Sequence, residues 1–160
     1  VAEAGNLYRK GVSLSFEQWG AGSADEYLVT EAQPADFVDP LGTGYDFAAQ
    51  STITPVWNDA DDAATALERI ITQKWIAIFP LGNEAWSEYR RTGYPHLMPV
   101  PDAGNMSGGT VTSRWGARRL QYPTEEYNEN RANVTAAVAG ELKGTDTFGS
   151  RVWWDKRTLN

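Results

Sequence analysis

The chain has 160 residues, the length of one domain, and its 41% hydrophobic content and mean hydropathy of −0.48 allow a core but no bilayer-spanning run. A net charge of −7 speaks against a nucleic-acid partner, because a phosphate backbone is repelled. The absence of cysteine excludes disulfides, zinc-thiolate sites and thiol catalysis.

The opening VAEAGNLYRKG lacks the basic start and apolar stretch of a signal peptide. It reads as the middle of a helix, so a piece of a longer polypeptide is expected. Residues 2–19 form that helix, with Leu7, Tyr8, Val12, Leu14, Phe16 and Trp19 as its apolar positions; Gly5 and Gly11 weaken it and Gly20 stops it. A short helix is expected over 23–32, capped by Ser23 and ended by Pro34. Residues 34–57 carry five Pro and Gly breakers and read as a long irregular connection.

Residues 59–79 carry the clearest helical pattern. Asn58 is the expected N-cap, and Asp59, Asp61 and Asp62 suit the positive end of the helix dipole. Ala63, Leu67, Ile70, Ile71, Lys74 and Ile78 mark one stripe, widened by Trp75 and Phe79. After Pro80 and Gly82, Asn83 is expected to cap a helix over 84–91. Arg90 then lies one turn from Trp86, within reach of its ring, and Gly93 takes a left-handed position at the end. Residues 95–117 read as an extended loop with a short hairpin near 110–114. Thr124 caps a turn of helix over 125–128, a further helix covers 131–139, and the tail ends in VWWDK. The pattern is mainly α with long loops, and loops of that length fit best where other parts of a larger protein cover them.

Catalytic devices are not found. His96 is the only histidine and reads as an ordinary loop residue; Ser107, in GNMSGG, lacks the context of a nucleophile elbow. The acids at 59–62 fail the calcium-loop pattern, since its sixth and twelfth positions fall on Ala64 and Ile70. Glu84/Glu88 and Glu125/Glu126 are the nearest approach to a glycosidase pair, but helix capping accounts for them. Asn105 and Asn133 open glycosylation sequons, a pattern common by chance. No catalytic residue, metal ligand or cofactor is therefore expected. The 19 aromatic residues serve either a ring-rich core or a surface that stacks on sugar C–H faces. The arginine pairs 90/91 and 118/119 each precede a Tyr-Pro step. At least one arginine of each pair is expected to anchor a loop through its fixed donors; the alternative is contact with an anionic ligand.

The segments QKWIAIFP, AWSEYRRTGYP, RRLQYPTEEYNENRAN and VWWDK, with AEA…LYRKGVSLSFEQWG before them, resemble the C-terminal part of SusD/RagB-like proteins over nearly the whole chain. These are surface nutrient-binding lipoproteins of Bacteroidetes. The resemblance implies a SusD-like α-helical fold, with TPR-like helices and long irregular loops, of which residues 1–160 are a single C-terminal domain. It implies binding without catalysis: an oligosaccharide or other nutrient is held at the outer face of the outer membrane and passed to a SusC-like TonB-dependent transporter. The lipid anchor and most of the TPR-bearing part would lie upstream, and the starting helix is shortened between Ala4 and Gly5. The family's glycan contacts generally lie upstream as well. Trp75, Trp86, Arg90, Arg91, Tyr94, Arg118, Arg119, Tyr122, Trp153 and Trp154 are implied to be structural. Trp57 and Trp115, beside breakers and off the helical stripes, are the candidate sugar contacts. On this reading Trp75 and Trp86 are buried and at least one of Trp57 and Trp115 is exposed. The alternatives are a fragment of a carbohydrate-active enzyme and a helical interaction module without a ligand.

Overall fold

The computed structural model describes residues 2–156. Its helices are α1 (Ala2–Trp19), α2 (Asp25–Leu28), α3 (Ala63–Ala77), α4 (Gly82–Thr92), α5 (Thr124–Glu129) and α6 (Arg131–Gly140), with one 3-10 turn, Asp102–Gly104. No strand occurs among the described residues; the only pairing is an isolated antiparallel bridge between Phe37 and Phe47. The mainly α class expected from the sequence is the class observed. The chain divides into two units, Val1–Met98 and Pro99–Asn160.

In the first unit, α1 turns Gly5, Tyr8, Val12 and Phe16 inward, one side of a 3.6-residue period. Tyr8, Val12, Ala24 and Trp57 form the buried cluster, with Ala4, Phe16, Tyr27, Leu28 and Ala66 packed around it. Trp57 is a correction to the sequence reading. It is 8% exposed, its ring centroid lies 5.2 Å from that of Tyr8, and its indole N–H donates to Asp59 Oδ1 at 2.9 Å. The Tyr8 hydroxyl donates to the Pro55 carbonyl at 2.7 Å, and burial pushes its pKa up to about 12. These contacts draw an irregular connection into the core. Gly5 makes that possible: a Cβ there would stand 2.6 Å from Trp57 Nε1. Gly5→Ala is expected to destabilise the fold by about 1–3 kcal/mol in a urea melt, the usual cost of overpacking, although alanine is the better helix former.

The acids before α3 divide their work. Asp62, not Asn58, is the N-cap, accepting the Thr65 N–H at 2.8 Å. Asn58 instead closes a turn by accepting the Ala60 N–H. Asp61 forms a buried pair with Arg69, whose Nε and Nη2 donate to Asp61 Oδ2 at 3.0 and 2.8 Å. Arg69 Nη1 also donates to the Thr54 carbonyl, tying the loop to the helix. α3 therefore begins four residues later than the periodicity suggested, because the first acids serve loop contacts.

The stripe expected to be buried on α3 is only partly so. Ile71 is buried, while Leu67, Ile70 and Phe79 are exposed and Trp75 is 39% exposed, the reverse of the burial expected for that tryptophan. An apolar groove of about 710 Å³ runs between α1 and α3, lined by residues that include Leu7, Gly11, Phe16, Ile70 and Ile76. Trp86 on α4 is half-buried, with the Arg90 guanidinium 4.6 Å from its ring centroid, as the one-turn spacing implied. α4 starts at Gly82 without a side-chain cap, so Asn83 lies in its first turn. Gly93 ends α4 at φ +87°, in the left-handed conformation expected. The Phe79–Pro80 and Tyr94–Pro95 peptide bonds are cis.

The 34–57 connection is held by short polar side chains. Asp39 accepts the N–H groups of Leu41 and Thr43 and the Thr43 hydroxyl, which stabilise its anion and lower its pKa from the usual 3.8 to about 2. The folded carboxylate resists protonation more than the unfolded one does. Its contribution is therefore complete above about pH 4 and lost as pH falls through 2. Amide exchange at Thr43 is expected to accelerate in that window and to be pH-independent, after correction for intrinsic rates, in Asp39→Asn.

The second unit has little regular structure. α5 and α6 pack together and bury Val134; Pro123 is the N-cap of α5, so Thr124 is its first residue and not its cap. The hairpin expected near 110–114 is replaced by turns, because Asn105 supplies the cross-links: its Nδ2 donates to the Val111 carbonyl at 3.0 Å and to Ser113 Oγ at 3.1 Å. Asp146 gathers the chain around it. It accepts from Arg119, from the Tyr122 N–H and from the Tyr127 hydroxyl at 2.7 Å. Burial opposes its charge, but the bonds from Tyr127 and Arg119 outweigh this and hold the carboxyl below its usual range. Arg118 is buried and paired in a fork with Asp155, Nε to Oδ2 and Nη2 to Oδ1, both at 2.7 Å. Both arginines of this pair anchor loops. Trp153 and Trp154 are exposed and lie in a turn.

Candidate functional site

The second unit carries a mixed polar and aromatic cleft of about 300 Å³ around Trp115. Two loops make it. In the first, Trp115 and Gly116 both donate N–H bonds to the Thr112 carbonyl, at 3.2 and 2.9 Å, and Gly116 turns the chain at φ +60°. In the second, Ser150 Oγ donates to the Thr145 carbonyl at 2.7 Å and accepts the Thr147 N–H at 3.0 Å. The Phe148 carbonyl accepts the Arg118 N–H at 2.7 Å and so ties the second loop to the chain that follows the first. Gly149 lies flush against the first loop, since a Cβ would overlap the Thr110 carbonyl.

Trp115 is half-buried, with the Arg118 guanidinium 4.9 Å from its ring centroid. Asp155 holds that guanidinium by two bonds, which fixes it against the indole. Threonines 110, 112, 145 and 147 and Arg151 also line the cleft; the Thr110 hydroxyl donates to the Ser107 carbonyl at 2.9 Å, and those of Thr145 and Thr147 lie 3.2 and 3.0 Å from Ser150 Oγ. A half-buried indole beside a fixed guanidinium, in a cleft of this size, suits a small ligand with an apolar face.

A second cleft, of about 290 Å³ in the first unit, is lined by Phe37, Phe47, Trp75 and His96 among others. Sequence reasoning missed it because Trp75 sits on an apolar helical stripe, which argues for burial. His96 packs edge-on against Tyr94 and has Nε2 3.7 Å from Glu68 Oε1, while Glu68 also accepts the Ser51 hydroxyl. The carboxylates considered as a glycosidase pair are tied up locally. Lys74 Nζ bridges Glu84 and Glu88 at 3.0 Å each. Glu88 is held below its usual range by its bond from Arg91 and, against the cost of burial, by the bond from Lys74. Glu126 accepts from Asn130. No group of three or more His, Asp or Glu suited to a metal occurs among the described residues. Of the two sugar contacts expected from sequence, only Trp115 lines a cleft; Trp57 is in the core.

The described residues make a mainly α, loop-rich fold that carries clefts of ligand size. The SusD-like family model, described as Susd and RagB outer membrane lipoprotein, matches residues 1–155, and the chain belongs to that family. Among solved structures it is similar to a SusD homolog from Bacteroides uniformis, with 50% identity, a TM-score of 0.86 and coverage of 96% of this chain and 32% of that one. A chitin-binding SusD homolog from Flavobacterium johnsoniae shares 41% identity with a TM-score of 0.85, over 96% of this chain and 31% of that one. A SusD homolog from Bacteroides thetaiotaomicron shares 44% identity with a TM-score of 0.83, over 96% and 33%. The chain thus spans about a third of the length of these relatives. None of the curated proteins matches it.

Proposed function

We propose that this chain is the C-terminal portion of a glycan-binding lipoprotein on the outer face of the outer membrane, and that it serves a SusC-like TonB-dependent transporter by holding the oligosaccharide at its mouth. The protein binds and does not hydrolyse. The observation that carries this reading is the family match over residues 1–155, joined by the 41% identity to a chitin-binding homolog. Within this chain the Trp115 cleft is the contact point, because there a half-buried indole lines a cleft of ligand size among threonine, serine and arginine residues.

Calorimetric titration of the chain with a panel of neutral and acidic oligosaccharides, chitotetraose among them, tests it. At least one member is expected to bind with a Kd between about 1 μM and 1 mM, since one small cleft supplies limited contact. Trp115→Ala is expected to weaken that binding at least about tenfold, the loss of roughly 1.4 kcal/mol from one stacked ring. A panel in which nothing binds, or in which sugar chains are shortened, would sink the reading.

A further inference from the structure

We infer that the apolar groove between α1 and α3 seats an amphipathic helix from the part of the same polypeptide that lies upstream of residue 1; this rests on the reading above of the chain as a C-terminal portion. The groove measures about 710 Å³ and lies wholly within the first unit. Leu7 and Ile76, which line it, are 63% and 51% exposed, and Ile70 is open as well. Small residues keep its α1 wall low: Ala4, Gly11 and Ser15 fall on one face, and a Cβ at Gly11 would meet nothing within 4 Å. Where the two helices stop, Trp19 and Phe79 pack on each other with centroids 6.2 Å apart, and both remain exposed. Apolar surface of this extent marks an interaction site.

The polar groups of the lining decide what kind of occupant fits. Tyr8 donates to the Pro55 carbonyl and Tyr27 to Gln73 Oε1, at 2.7 and 3.0 Å. Lys74 is held between Glu84 and Glu88. Groups already partnered leave little for a sugar's hydroxyls, or for an extended chain whose backbone N–H and C=O groups would go unmet. A helix satisfies its own backbone and brings only an apolar face to such a groove. The groove follows α1 from Ala4 to Phe16, about 18 Å at the helical rise, which receives roughly three turns. Two observations point to the source. The solved relatives are about three times the length of this chain, so about two-thirds of such a polypeptide lies outside it. A second copy fits less well: residues 1–98 hold 14 acids against 6 Lys and Arg, and two first units brought together repel each other.

Thiol labelling tests the inference, since the chain has no cysteine of its own. Gly11→Cys places a thiol in the groove, and Ser13→Cys places one on the exposed opposite side of α1. Reaction of each with N-ethylmaleimide is followed by peptide mass spectrometry, in this chain and in the purified polypeptide extended to its natural start. In the extended polypeptide the Gly11→Cys thiol is expected to react at least about a hundredfold more slowly than in this chain, while Ser13→Cys changes by less than about threefold. A second readout is Leu7→Lys combined with Ile76→Lys. The pair is expected to lower the thermal midpoint of the extended polypeptide by about 5 °C or more and to leave that of this chain within about 2 °C, because both positions are open here. Equally fast labelling of Gly11→Cys in both, or equal slowing at both positions, would overturn the inference. So would protection that grows in this chain with its concentration, which marks a second copy, or that appears only on intact cells, which marks a partner protein. None of these outcomes alters the oligosaccharide titration, which tests the glycan-binding reading separately. A natural protein whose intact mass matches these 160 residues alone would overturn the C-terminal reading and the inference together.

Discussion

Asp155→Ala is expected to cost about 3–5 kcal/mol in chemical denaturation of the second unit, the range for breaking one side of a buried ion pair. Both side chains are close to fully shielded, at 10% and 4% exposure for Arg118 and Asp155. Removing the carboxylate leaves a guanidinium with its charge uncompensated in a low-dielectric setting, and that desolvation cost makes the effect large. Replacing both partners, Arg118→Met with Asp155→Ala, is expected to recover much of the loss, because no buried charge then remains. A cost below about 1 kcal/mol for the single substitution would mean that the pair behaves as a surface bridge. Sugar binding supplies a second readout. Arg118 lies against Trp115, so Asp155→Ala is expected to weaken oligosaccharide affinity at the cleft as well.

Trp57→Ala is the other large effect. Emptying the indole site is expected to cost about 3–5 kcal/mol, the range for large-to-small changes at a buried aromatic. The loss combines the ring contact with Tyr8 and the hydrogen bond to Asp59. The substitution separates core from site: affinity for oligosaccharide, measured on the folded fraction, is expected to stay within about twofold, well under the tenfold worth 1.4 kcal/mol. A selective loss of binding with unchanged stability would return Trp57 to the list of sugar contacts. Gly5→Ala should add little in the Trp57→Ala background, since the atoms it would meet are gone.

Much of the helical layout was legible in the sequence. The periodicity of α1 gave its bounds, and the left-handed Gly93 marked the end of α4. The Trp86–Arg90 contact followed from one-turn spacing. What misled was the assumption that a tryptophan's local setting decides its burial. Trp57 lies in a connection full of breakers, yet Gly5 leaves a gap on α1 that its ring fills. Trp75 lies on a helical stripe, yet the described residues leave it partly open on the second cleft. Neither outcome is encoded within a few residues of the side chain concerned.

The acids at 59–62 make the same point. All stand where a helix dipole favours them, and sequence reading gave them one shared role. Two were taken by partners at a distance along the chain or out of the helix, Asp61 by Arg69 and Asp59 by Trp57. The cap passed to Asp62, and α3 started later.

By itself the sequence determined the mainly α class, the long loops, the lack of cysteine chemistry and the membership of the SusD-like family. Composition, periodicity and ordered motifs are properties of the chain read in line, and these conclusions need nothing more. The tertiary structure alone decided which rings are core and which line a cleft, which acid caps a helix and which neutralises an arginine, and that Arg118 and Arg151 meet Trp115 in one cleft. The Asp62 cap and the Asp61–Arg69 pair are settled within α3 and the turn before it, while the core and the cleft depend on residues far apart in the chain coming into contact, as Tyr8 with Trp57 and Arg118 with Asp155. There burial and charge pairing outweigh local preference, because desolvating a ring or a charge involves larger energies than helix propensity does.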